Sequence, residues 1–239
     1  MKINKRLLYI MLPLTLGILT ACGDDDDDND EMMPEVDPPV VVNYTYEVSV
    51  TNLTYAQPFS PVFTALHNEG GLWEVGSMST VALEKLAESG DTSDLAALTN
   101  LLANAAGGGI VMPGMSDTVQ VTISDTMPNL ISVATMLVNT NDAFTGVTSV
   151  DVSSLMVGES ITMTVGTYDA GTEQNSEAAG TIPGPADGGE GYNAARDDVD
   201  FVSMHPGVVS MDDGLAESVL TQAHRFDNPT SRISITRME

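Results

Sequence analysis

The residues of this chain best suited to do chemistry lie in "VGTYDAGTEQN", residues 165–175. An alternating run, Ile161, Met163 and Val165, leads into Asp169; Glu173 follows, with Gly171 between the two acids. Carboxylates four residues apart on a turn present hard oxygen ligands, and an intervening glycine lets the backbone curl around one ion. The plain alternative is a pair of turn acids facing water, and the residues by themselves leave both readings open.

Other reactive groupings are weaker. His67, His205 and His224 lack the spacing of a zinc site. His67, beside Asn68 and near Trp73, reads as a hydrogen-bonded structural imidazole, and His205-Pro206-Gly207 as a turn. A Ser-His-Asp triad needs no adjacency in sequence, but the chain has no Gly-x-Ser-x-Gly elbow. The paired acids of a glycosidase are not identifiable among 34 Asp and Glu. Gly107, Gly108 and Gly109 lack the Lys-Ser of a phosphate loop. The methionines read as core filler rather than a copper site.

Charge narrows the function classes further. The formal net charge is −26, with only eight Lys and Arg, so a basic face for nucleic acid is excluded. The positive charges are also unevenly spread. Lys2, Lys5 and Arg6 precede an apolar run from Leu7 to Leu19, the pattern of an export signal too short for a convincing transmembrane helix. Leu19-Thr20-Ala21-Cys22 has the form of a lipoprotein cleavage site, with residues 1–21 as signal and Cys22, the only cysteine, as the lipidated residue. Lipidation would leave no thiol for a disulfide or a thiolate metal site. Residues 22–42, with Asp24 to Asp28 and several prolines, read as a disordered acidic tether. The address implied is the cell envelope, lipid-anchored; Gly23 rather than Asp after the cysteine favours the outer membrane or cell surface.

Residues 43–239 then form one domain in which strand signals dominate. "YTYEVSVTNL", "TVQVTIS", "ESITMTVGTYD" and "SRISITRM" alternate apolar with polar residues, as strands with one buried face do. "LISVATMLV", residues 130–138, is continuously apolar and predicts a central strand buried on both faces. "TVALEKLAES" predicts a helix stopped by Gly90, and "SDLAALTNLLANAA" a second stopped by Gly107. Gly180 to Asp200 predicts a long loop. The fold class is mainly β: an antiparallel β-sandwich with one or two short helices.

Four segments, in order, resemble the spondin amino-terminal domain family. "FSPVFTALHNEGGLWEVGSMST" looks like its opening; "NLISVATMLVNTNDAFTGVTSVD" like its Ser-Met strand, Asp-Trp-Phe turn and Gly-Val; "YDAGTE" like its Asp-Ala-Gly-Thr-Asp; and "NPTSRISITRM" like its ending. The resemblance implies a sandwich similar to calcium-dependent membrane-targeting domains, and a calcium ion at one end of it. Carried over, its ligands are Asp142, Asp169 and Glu173, with Glu in place of the family's usual second Asp and Ala143 in place of Trp. Carboxylates so clustered would repel without a cation, raising the pKa of at least one. If these acids are not the site, the loop around Asp197 and Asp198 is the next place for an ion. The function implied is a non-enzymatic binding or adhesion module for a glycan, a matrix component or a surface protein. The alternative is a hydrolase acting on an envelope or extracellular polymer.

Overall fold

The computed structural model describes residues 39–239 apart from 196, 197 and 199. Cys22, the signal and most of the tether lie outside the described residues, as does Asp197.

The described strands form two antiparallel sheets. The first holds β1 (Asn43–Asn52), β4 (Ser116–Ser124), β7 (Ser160–Val165) and β10 (Ser231–Arg237), in the order β4-β1-β10-β7. Its alternation reads directly as geometry. Tyr46, Val48, Val50, Val119, Val121, Ile233 and Ile235 face inward and are buried. The intervening residues carry hydroxyls that pair across strands, as Thr45 with Thr122 and Ser160 with Thr236 do.

The second sheet holds β2 (Phe63–His67), β3 (Leu101–Ala106), β5 (Leu130–Met136), β6 (Ala143–Asp151), β8 (Thr167–Asp169) and β9 (Ser203–Met204). Their order is β3-β2-β5-β6-β8-β9. One face, with Leu66, Ile131 and Val133, closes the core against the first sheet. The other face, with Phe63, Ala65, Ala134 and Phe144, is covered by Leu83, Leu86 and Ala87 of helix α1 (Val81–Ser89) and by Leu95 of α2 (Ser93–Ala96). Coverage on both faces explains why β5 is continuously apolar, as its sequence implied.

Two expectations need correction. The Ala/Leu-rich stretch after Ser93 is helical for only four residues; Leu101–Ala106 is strand β3. Pairing with β2, Phe63 opposite Ala106 through Ala65 opposite Asn104, overrides the helical propensity of that stretch. The run ending at Asp169 is likewise not one strand. β7 belongs to the first sheet and β8 to the second, with Gly166 at the crossing. Helix α1 ends before Gly90 as expected, and residues 180–200 contain no described helix or strand. No helix among the described residues is long and apolar enough to cross a membrane.

Candidate functional site

Asp142 immediately precedes β6, and Asp169 ends β8. These strands pair with Ala143 opposite Asp169 and Phe144 opposite Tyr168, so register alone brings the two acids to one end of the sheet. The strand before Asp142, β5, does not adjoin β8; the strand after it does. Below the acids the strands are locked by aromatic contacts: the Trp73 ring lies 5.0 Å from Phe144, edge-on, and Phe144 stacks on Tyr168 at 5.4 Å.

Asp142 is fully buried. Its Oδ2 accepts from the Thr172 amide at 2.8 Å, the Thr172 hydroxyl at 3.3 Å and the Glu173 amide at 3.2 Å. Its Oδ1, equally buried, has no hydrogen-bond partner. Burial, and then the charge of Asp169, push the Asp142 carboxyl up to about 7, against the pull of its three donors. Only the second, smaller cause is repulsion between neighbouring carboxylates; burial comes first.

Asp169 is also buried, and both its oxygens are oriented. Oδ1 accepts from the Gly171 amide at 2.8 Å and Oδ2 from Asn175 Nδ2 at 2.5 Å. Gly171 is required here: its φ is +67°, and a Cβ would lie 2.9 Å from the Phe201 backbone. Asn175 Oδ1 lies 3.1 Å from Nε2 of His205, just beyond β9. Gly207 N–H donates to His205 Nδ1 at 3.0 Å, so that nitrogen is the acceptor and Nε2 carries the proton given to Asn175. Burial lowers the His205 pKa to about 4, opposed by the charge of Asp169.

Glu173 joins the pair through its backbone. Its carboxylate receives Asn141 Nδ2 at 3.5 Å and lines a hollow of about 80 Å³ with Thr181, Glu190, Asn193 and Ala195. Among the described residues, no three His, Cys, Asp or Glu side chains converge as a metal-ligating group. The structure thus brings Asp142 and Asp169 together, with the Glu173 amide rather than a third carboxylate completing the arrangement.

A family model described as Spondin_N matches residues 49–181, more than half of the chain. The chain belongs to the spondin N-terminal family. No curated protein matches it. The matched span of the spondin domain contains both acids, Glu173 and Asn175, and ends before His205.

The calcium ion that the resemblance implies fits what the spondin domain presents. Asp142 Oδ1 is an unsatisfied buried acceptor, and each Asp169 oxygen engaged by one donor retains a further lone pair. Both ring nitrogens of His205 are already engaged, leaving an all-oxygen donor set suited to a hard cation.

A second constellation bears on the hydrolase alternative. Ser132 Oγ lies 2.8 Å from His67 Nε2, and His67 Nδ1 lies 3.1 Å from the Glu69 carbonyl. These are the contacts of a serine–histidine dyad, yet His67 is 1% exposed and Ser132 0%. Ser132 Oγ also accepts the Ser149 amide at 2.9 Å. The dyad therefore ties β2, β5 and β6 together inside the sheet, where a polymer cannot reach it. This is the structural role expected of His67.

Sequence reasoning missed Asn175, His205 and the Thr172 amide. Asn175 stood in the segment first singled out, but an amide is a weak signal beside two acids. His205 was expected only to turn the chain, and no spacing rule links it to residue 175.

Proposed function

We propose that the spondin domain is a non-enzymatic binding module whose end loops are set by one calcium ion held by Asp142 and Asp169. The observation that carries this reading is the buried, unpartnered Oδ1 of Asp142 beside a second carboxylate. Calcium would supply the positive charge that lets both acids ionise together, with backbone carbonyls and water completing its shell. The chain's own residues do the remainder. The Thr172 and Glu173 amides hold Asp142, and Gly171 and Asn175 aim Asp169. Glu173 contributes through the backbone and the adjoining hollow. The partner class is a glycan, a matrix component or a surface protein, presented from a lipid anchor at Cys22.

The test is thermal unfolding in EDTA and in calcium. At a hundredfold excess over the dissociation constant, calcium is expected to add about 2.7 kcal/mol of stability. Asp169→Asn should remove most of that gain. A gain that survives Asp142→Asn and Asp169→Asn together would move the ion elsewhere, and no gain in the wild type would return both acids to the plain reading. Turnover of any envelope polymer, lost on a point change at this site, would overturn the non-enzymatic part.

Anchoring has its own test. Cys22→Ser is expected to shift the protein out of the membrane fraction. Equal retention of the variant would show that acylation is not what holds it.

A further inference from the structure

Asp169 can bind a cation beside Asp142 only if its carboxylate is held in one orientation, and the contact that fixes Oδ2 comes from a side chain that is itself oriented. A carboxylate only accepts, so Asn175 must present Nδ2 to Asp169, leaving Asn175 Oδ1 to receive a donor. That donor is His205 Nε2–H, and the Gly207 amide on Nδ1 sets the tautomer. The relay is therefore directional at every step: Gly207 N–H to His205, His205 N–H to Asn175, Asn175 N–H to Asp169.

Its anchor is rigid. His205 is 3% exposed, its ring packs 5.4 Å from Phe226, and its amide donates to the Thr167 carbonyl at 2.9 Å. Asn175, by contrast, is exposed and lies in a loop without regular structure. Without His205, little would hold the Asn175 amide in place.

We propose that His205 is a positioning residue for the cation pair: through Asn175 it orients the Asp169 carboxylate beside Asp142 and thereby sets the affinity for a divalent cation. The proposal rests on the calcium reading above and adds a residue outside the matched family span. Asn175, one hydrogen bond removed from the ligand, is a partner of the kind worth roughly 10–100-fold in metal affinity, and His205 acts on the ligand through it.

The experiment is calcium titration of the intact chain by calorimetry, paired with melting curves in EDTA. Asn175→Ala is expected to weaken calcium binding at least about tenfold, and its calcium-induced rise in melting temperature, taken from the variant's own value in EDTA, should shrink accordingly. His205→Leu should weaken binding similarly. His205→Gln should restore most of it, because an amide can both accept from Gly207 and donate to Asn175. If the wild type takes up no calcium, the calcium reading falls and this proposal with it. If the wild type binds and Asn175→Ala binds equally tightly, the proposal alone falls. A His205→Gln variant as weak as His205→Leu would also overturn it, since the donated proton would not be what matters.

Discussion

Between pH 6.5 and pH 4, the Asp142→Asn domain in chelator is expected to lose about 3 kcal/mol of stability. His205 is the main cause, with His67 and His224, whose pKa values burial also lowers, acting in the same direction. The His205 pKa falls from 6.5 to about 4 on folding, because burial disfavours the imidazolium. The folded state thus refuses a proton that the unfolded chain accepts. Stability is complete above pH 6.5 and is lost as pH falls through this window, at about 1.4 kcal/mol per unit. In the wild type the loss is masked. Asp142 rises from 3.8 to about 7 on folding, so the folded state holds a proton there that the unfolded chain has released. Stability from that group is greatest at low pH and falls as pH rises through the same range. His205→Gln should therefore show the reverse slope to Asp142→Asn, gaining about 4 kcal/mol on acidification from pH 7 to pH 4. Urea unfolding of the three proteins across pH measures both slopes. Parallel profiles for wild type and Asp142→Asn would contradict the account.

Gly146→Ala is expected to cost about 4 kcal/mol or to prevent folding altogether. Gly146 lies in β6 opposite Ala134 of β5, at the centre of the second sheet. A Cβ there would sit 1.9 Å from the Val133 carbonyl oxygen and 2.9 Å from Ala134 Cα. Its φ of +155° is also one that L side chains rarely adopt. The atoms in the way are backbone of a strand packed on both faces, so they cannot move aside without opening the core. Because β6 begins immediately after Asp142, the loss should extend to the pairing of Asp142 with Asp169. Gly108→Ala, where an added Cβ meets nothing within 4 Å, is the control and should stay within about 0.5 kcal/mol. Chemical denaturation of both variants makes the comparison; equal midpoints would show that the sheet accommodates the methyl group.

The sequence by itself determined most of the strands that make up the first sheet, which of their faces is buried, and the sandwich class. Alternation in β1, β4, β7 and β10 encodes which side chains face inward, because successive strand residues point to opposite faces. The apolar run of β5 encoded coverage on two sides, and Gly90 the end of α1. The tertiary structure decided whatever depends on partners distant in the chain. Leu101–Ala106 became a strand because β2 offered it a ladder of hydrogen bonds. The run ending at Asp169 was divided between sheets because β7 pairs with β10 while β8 pairs with β6. At the site, residue type named Asp142 and Asp169 as candidates. Only register placed them together, and only packing buried one Asp142 oxygen without a partner. The bond from His205 to Asn175 spans thirty residues and two loops. Periodicity records the environment of one residue at a time, whereas a hydrogen bond between loops exists only once both chains of contacts have been folded into place.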